Sequence, residues 1–216
     1  MKTRITLCIL SFWVFLPVGA LFSQKLGDTT RLDDRVKKFL DSHAGSWRDM
    51  NVPARDGQFL HDLIVKNNYK NALEIGTSTG HSAVWIAWAL SKTGGKLTTI
   101  EIDEGRYREA LANFKKAGLF YWIDARLADA HELVPNLKGR FDFALSDADK
   151  EWYTKYFKAV APKMTIGGCF TAHNITMRTR GIREFVEYIR SLPNFETTIE
   201  QRVTTGISVS YKKAEQ

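Results

Sequence analysis

From Asn71 onward, short apolar runs alternate with longer stretches in which apolar residues recur every three or four positions. The short runs predict buried strands and the periodic stretches predict amphipathic helices. Strands are expected at Ala72–Ile75, Lys96–Ile102, Trp122–Leu127, Phe141–Ser146 and Gly168–Ala172. Helices follow each of them: one ending at Ser91, then Gly105–Ala117, Ala130–Val134, Lys150–Ala161 and Arg180–Ser191. Glu196–Arg202 and Gly206–Tyr211 read as two more strands joined by a turn at Thr204–Gly206. Ahead of this alternation, Arg35–His43 carries Val36, Phe39 and Leu40 on one side, and Asp56–Lys66 carries Phe59, Leu60, Leu63 and Ile64 at helical spacing. The pattern predicts an α/β fold with a seven-stranded, mostly parallel sheet, helices on both faces and an antiparallel C-terminal hairpin.

The N-terminus breaks the pattern. Lys2 and Arg4 precede an almost wholly apolar run, Ile5–Phe22, with small residues near Gly19–Ala20. That describes a secretory signal peptide over 1–23 or, since the run approaches spanning length, an uncleaved membrane anchor. The domain would then be exported (periplasmic or secreted) or held at a membrane. Residues 24–34 are polar and read as a linker, leaving 35–216 as one domain, a size that suits one substantial core. The net charge of +7 is moderate and the basic residues are interspersed with acids, so no stripe for nucleic acid is expected. Of two cysteines, Cys8 lies in the leader, and Cys169 sits in an apolar run as a small core residue. Nothing in the sequence fixes the oligomeric state.

Ligands of open parallel sheets bind outside the carboxyl ends of the strands. After the first strand the chain reads Leu73-Glu74-Ile75-Gly76-Thr77-Ser78-Thr79-Gly80-His81-Ser82. A dinucleotide site would show G-x-G-x-x-G. Here the spacing is G-x-x-x-G behind an acid, which suits a ligand with a cationic amino-acid part and no phosphate; a plain strand–helix turn is the alternative. Glu101 ends the second strand, where a carboxylate can accept from both hydroxyls of a ribose, and Asp129 follows the third, where it can accept from an adenine amino group. Each acid alone would serve as a helix cap, but three at successive strand ends point to one ligand.

These residues carry a family resemblance. Glu74–Asp129 resembles the cofactor half of class I S-adenosylmethionine-dependent methyltransferases, which implies a Rossmann-like sheet. Met50-Asn51-Val52 followed by Asp56-Gly57-Gln58 is similar to the segment ahead of the first strand in catechol O-methyltransferases. Ser146-Asp147-Ala148-Asp149-Lys150-Glu151-Trp152-Tyr153 is similar to the Asp-Ala-Asp-Lys signature of caffeoyl-CoA O-methyltransferases. The resemblance runs from about Asp49 to Tyr211. It implies that Met50, Asn51 and Val52 lie by the methionine end of the cofactor, with Glu74 on its amino group and Gly76, Thr77 and Ser82 along the loop. Glu101 would hold the ribose, Asp129 and Ala130 would border the adenine, and Asp147 and Asp149 would complete the cofactor side.

The same resemblance implies that Asp147 is a catalytic metal ligand and Lys150 the general base. Ala172-His173-Asn174-Ile175 stands where the family has an Asp-Asn pair of metal ligands, so His173 and Asn174 join Asp147 as expected ligands, with His173 in place of an aspartate. The cation would be magnesium by resemblance, or a transition metal given the imidazole. Two vicinal phenolic oxygens of a catechol-like small molecule could complete its coordination. Two alternatives stay open: a metal-independent methyltransferase on another phenol with His173 as base, and a cofactor-binding protein whose metal site has decayed. Trp47, Trp152 and Met177 are candidates for a substrate-gripping lip, whereas His131 reads as a surface or structural residue.

Overall fold

The computed structural model describes residues 18–47, 49–201 and 203–215. Its helices are α1 (Val18–Ser42), α2 (Ala54–Asn67), α3 (His81–Thr93), α4 (Glu104–Ala117), α5 (Ala130–Asn136), α6 (Tyr153–Val160) and α7 (Arg180–Ser191). Its strands are β1 (Asn71–Ile75), β2 (Lys96–Glu101), β3 (Ile123–Leu127), β4 (Phe141–Ser146), β5 (Met164–His173), β6 (Phe195–Glu200) and β7 (Ile207–Lys212). They form one seven-stranded sheet in the order β3-β2-β1-β4-β5-β7-β6, parallel except for β7, which pairs antiparallel with both β5 and β6. The fold is the one expected from the alternation.

The strands are apolar on both faces because both faces are covered. Side chains alternate along a strand, so in β1 Ala72 joins the core beneath α1–α4, with Val36, Leu60, Trp85 and Phe114. Leu73 and Ile75 join the opposite core beneath α5–α7, with Val134, Phe157 and Phe185. The chain leaves β1 toward β2 and β3, then returns to β4 on the other side of β1. That switch in strand order opens a crevice at the carboxyl ends of β1 and β4.

Three boundaries differ from the sequence reading. The stretch 24–34, expected as a linker, lies inside α1. Leu32 packs on the core in step with Val36, Phe39 and Leu40, and Asp33 accepts from Trp88 Nε1 at 2.5 Å and from Lys92 Nζ at 2.6 Å. β5 begins at Met164, four residues before the expected Gly168, because Gly167 and Gly168 form a register shift opposite Phe141–Phe143, not a turn. The expected helix at Lys150 starts as a 3-10 turn, Lys150–Trp152, ahead of α6. Most of the segment read as a leader, residues 1–17, lies outside the described residues. Among the described residues no helix is long and apolar enough to cross a membrane.

Candidate active site

β1 ends in a loop that only glycine can begin. Gly76 has φ +98°, and a Cβ there would lie 2.9 Å from the Asp147 carbonyl oxygen and 3.0 Å from the Ala148 nitrogen. The close approach exists because β1 and β4 are neighbours, with Ile75 beside Ser146. Beneath the loop Glu74 is fully buried. Its Oε2 accepts from Thr99 Oγ1 at 2.5 Å, and the Thr99 hydroxyl meets that of Thr77 at 2.5 Å. The Ser82 hydroxyl lies near enough to moderate its acidity, but no donor meets Glu74 Oε1 with hydrogen-bond geometry. Burial pushes this carboxyl up to about 8, against a smaller opposing effect of Ser82 and Thr99. The hydroxyls of Ser78 and Ser146 are likewise buried without a hydrogen-bond partner among the described residues.

Glu101 is partly engaged within the chain. Its Oε2 accepts from Ser78 N–H at 2.7 Å, and its Oε1 accepts from Asp103 N–H at 2.9 Å and Ile102 N–H at 3.1 Å. A carboxylate offers about four acceptor positions, so three are used within the chain. The segment before α2 is clasped to the same loop: Asn51 donates to Thr79 Oγ1 at 2.7 Å and accepts from His81 N–H at 3.3 Å. Val52 is buried and Met50 is 69% exposed. His81 meets the Val52 carbonyl through Nδ1 at 2.6 Å and accepts from Trp85 Nε1 through Nε2 at 3.1 Å. Its two nitrogens are thus engaged, and burial lowers its pKa, as a neutral structural histidine requires. Trp47, a candidate for the substrate lip, stacks on His81 instead.

At the end of β3, Asp129 caps α5 by accepting from His131 N–H at 2.8 Å, and Ala130 is buried. Asp149 accepts from Glu151 N–H at 3.0 Å and lies 3.4 Å from His131 Nε2. The His131 ring stacks on Trp152 with centroids 3.7 Å apart. The fold therefore gathers Asp129, His131, Asp149 and Trp152, and places His131 among the expected cofactor residues. Its sequence signal was only its position two residues after Asp129.

The acceptor end is built from the ends of β4 and β5. Lys150 Nζ donates to Asp147 Oδ1 at 2.7 Å and to the Tyr153 hydroxyl at 2.9 Å, and Tyr153 in turn donates to the His173 carbonyl at 3.1 Å. His173 Nδ1 lies 3.1 Å from Asp147 Oδ2, and Nε2 lies 2.7 Å from Asp56 Oδ2. Asp56 comes from the first turn of α2, is fully buried, and accepts Thr204 N–H at 2.9 Å. Carboxylates only accept, so a ring facing two of them carries a proton on each nitrogen. Burial alone would lower the His173 pKa, but Asp147 and Asp56 outweigh it and push it up to about 9. The hydrogen bond to His173 and that from Thr204 outweigh burial at Asp56 and lower its pKa.

The expected metal set is Asp147, His173 and Asn174. Asp147 and His173 come together, with His173 Nδ1 beside Asp147 Oδ2 and Nε2 on Asp56, and imidazole coordinates through an unprotonated nitrogen while its other N–H rests on a carboxylate. The Asn174 amide nitrogen donates to Thr205 Oγ1 at 2.8 Å, and Thr205 Oγ1 also lies 3.0 Å from His173 Nε2. Among the described residues no group of three or more His, Cys, Asp or Glu side chains is placed to hold a metal ion. Asp56, Tyr153, Thr204 and Thr205 were not singled out as site residues. Asp56 stands in the sequence reading only within the segment similar to catechol O-methyltransferases, and nothing local connects it to a strand end 117 positions away.

A family model described as O-methyltransferase matches residues 26–207. Caffeoyl-CoA O-methyltransferase 1 of Arabidopsis thaliana is 34% identical over 67% of this chain and 60% of its own length. Caffeoyl-CoA O-methyltransferase of Zinnia elegans is 32% identical over 67% of this chain and 64% of its own. The chain thus spans less than two thirds of the length of these curated relatives. Among solved structures, the O-methyltransferase from Bacillus cereus in complex with SAH superposes with a TM-score of 0.71 at 26% identity, covering 83% of this chain and 91% of that one.

Proposed function

Because this chain belongs to the O-methyltransferase family, we propose that it transfers a methyl group from S-adenosylmethionine to a phenolic hydroxyl of a small molecule. The observation that carries the reading is the cradle at the ends of β1 and β4. Glu74 Oε1, Ser78 Oγ and Ser146 Oγ are buried there without partners, beside a Gly76 that leaves no room for a side chain. Buried polar atoms in folded proteins are mostly hydrogen-bonded, and of the seven without a partner among the described residues these three meet at one crevice, where a ligand could complete their bonding. When bound, S-adenosylmethionine supplies an electrophilic methyl on a sulfonium. Glu74 would take its ammonium group, Glu101 its ribose, and Asp129 with Ala130 and His131 its base. Lys150, held at the crevice mouth by Asp147, accepts the proton of the attacking hydroxyl in its neutral form. A phenolic acceptor agrees with the caffeoyl-CoA relatives.

Asp147, His173 through Nδ1 and Asn174 through Oδ1 are the residues that would hold a divalent cation, with Asp56 on His173 Nε2 and Thr205 on the Asn174 nitrogen orienting them; when bound it would acidify and orient the acceptor hydroxyl.

The test begins with cofactor binding measured by calorimetry. Glu74→Ala and Glu101→Ala should each lose on the order of 1–3 kcal/mol of affinity. In the free protein Glu74, pushed up to about 8, is mostly protonated at pH 7, whereas an ammonium partner favours its ionised form. Binding should therefore release most of one proton at pH 7, with affinity rising as pH climbs toward 8. Titrations in buffers of different ionisation enthalpy read that release, and Glu74→Gln should abolish it. Unchanged affinity in both alanine variants, or proton uptake by the wild type, would remove the basis for the cradle.

A further inference from the structure

We propose that the cavity between α1, α2 and α3 is a second small-molecule site, separate from the methyl-transfer crevice, and that it takes a neutral, planar, bicyclic aromatic carrying one hydrogen-bond acceptor. Its existence is independent of the reaction in the crevice.

The cavity has a volume of about 550 Å³, inside the range of about 300–1,000 Å³ in which small-molecule pockets fall. Its walls are aromatic. Trp47 stacks on His81 with ring centroids 4.4 Å apart, and Trp85 and Trp88 follow along α3 with centroids 5.5 Å apart. Leu40 of α1 and the buried Val52 add aliphatic surface. The mouth lies at the turn after α1, where Ala44 and Gly45 are exposed. A Cβ built on Gly45 would meet nothing within 4 Å, so the approach is open.

The N-terminal turns of α2 divide this cavity from the acceptor mouth. Ala54 and Gln58 are four residues apart, share one helix face, and line the cavity. Asp56, two positions from each, projects from the opposite face and meets His173 Nε2 at 2.7 Å. Asp147, Lys150 and His173 do not line the cavity. Asn51 and His81 do, and both also belong to the clasp on the cofactor loop, so the two sites share a wall.

The polar groups on the walls specify the occupant. Three indole N–H groups belong to lining residues. That of Trp85 donates to His81 Nε2 at 3.1 Å, and that of Trp88 to Asp33 Oδ1 at 2.5 Å. That of Trp47 is buried with no hydrogen-bond partner among the described residues. An indole N–H only donates, and leaving it buried and unmet is unfavourable, so an occupant with a carbonyl or ether oxygen would complete it. Indole rings favour flat aromatic partners in offset or edge contact. At the rim Lys37 and Asp41 stand one turn apart on α1 with opposite charges, which selects neither an anion nor a cation. A peptide would bring a row of backbone polar groups to a wall made mainly of indole and aliphatic carbon.

The probe is 1-indanone, a flat bicyclic ketone with no hydroxyl to be methylated, paired with indane, the same frame without the oxygen. Both are titrated calorimetrically into the full chain and into Ala44→Trp, Trp47→Phe and Lys150→Met. Wild type should bind 1-indanone saturably with a dissociation constant on the order of 10–100 μM. Ala44→Trp fills the mouth from an exposed position and should weaken that binding about tenfold or more. Trp47→Phe keeps a ring beside His81 but removes the donor. It should weaken 1-indanone about fivefold while leaving indane within about twofold of wild type. Lys150→Met should bind both probes as wild type does. No saturable binding by the wild type up to about millimolar 1-indanone overturns the proposal. So does binding that neither Ala44→Trp nor Trp47→Phe weakens, or binding lost in Lys150→Met, which would put the probe in the acceptor mouth. Equal weakening of both probes in Trp47→Phe refutes the acceptor-bearing ligand. Should circular dichroism show that Ala44→Trp does not fold, the contrast between the two probes in Trp47→Phe decides alone.

Discussion

Lys150→Met lowers the rate of methyl transfer by roughly 10²-fold or more while leaving cofactor affinity close to wild type. Lys150 stands at the crevice mouth, its side chain 21% exposed, with the amine between Asp147 Oδ1 and the Tyr153 hydroxyl. Methionine keeps the length and the apolar stem but offers no lone pair to an acceptor proton. None of the groups that line the cofactor cradle bonds to Lys150 except Asp147, so loss of the amine should appear in kcat much more than in cofactor binding. Lys150→Arg separates proton transfer from charge. Arginine keeps a cation beside Asp147 but is not deprotonated in proteins, so its rate should stay low as well. Steady-state kinetics with the cofactor dissociation constant measured in parallel read both effects. Wild-type-like turnover in Lys150→Met would refute the assignment. Tyr153 is a poor replacement, because burial, reinforced by Asp147, raises its hydroxyl pKa well above the ordinary value.

Gly76→Ala should destabilise the chain by on the order of 2–4 kcal/mol and lower cofactor affinity with it, from left-handed strain and overpacking together. The strain follows from φ +98°. The overpacking follows from contacts of 2.9 and 3.0 Å with the backbone at Asp147 and Ala148, which cannot move like the end of a flexible side chain. Any relief must shift either the cofactor loop or the start of the segment that carries Asp147 and Lys150. Gly94→Ala is the matched control: it has a similar left-handed φ, +76°, but nothing lies within 4 Å of its added Cβ, so it should carry the strain without the overlap. Chemical denaturation of the two variants gives the difference, and equal stability losses would show that the approach to Asp147 is unimportant.

The layered sheet was legible because its signals are local. The central strands β1 and β4 are short and mostly apolar, and the acids Glu74, Glu101 and Asp129 fall at or just beyond strand ends that the alternation locates. The glycine loop was legible for the same reason. Boundaries were lost where local signals point the wrong way: Gly167 and Gly168 interrupt the apolar run, yet pairing with β4 at Met164 and again at Cys169 carries β5 through them. The character of the acceptor site was lost for a deeper reason. His173 was visible as a departure, but its meaning depends on Asp56, which sequence places on another element and only the fold brings to 2.7 Å.

The bonds at Glu101 bear on how quickly the crevice can be filled. Ser78, in the middle of the glycine loop, is tethered to β2 by a 2.7 Å bond to that carboxylate, and Asn51 ties the incoming segment to Thr79 from the other side. The loop is thereby a finished mould, held by its own chain and needing no guest to shape it. Little ordering entropy opposes occupancy, and association is not slowed by a preceding rearrangement of the loop. Under the proposed reading the same tether would make Glu101 a competitor as well as a host: ribose hydroxyls approaching it would share its remaining acceptor position or take over the one Ser78 holds.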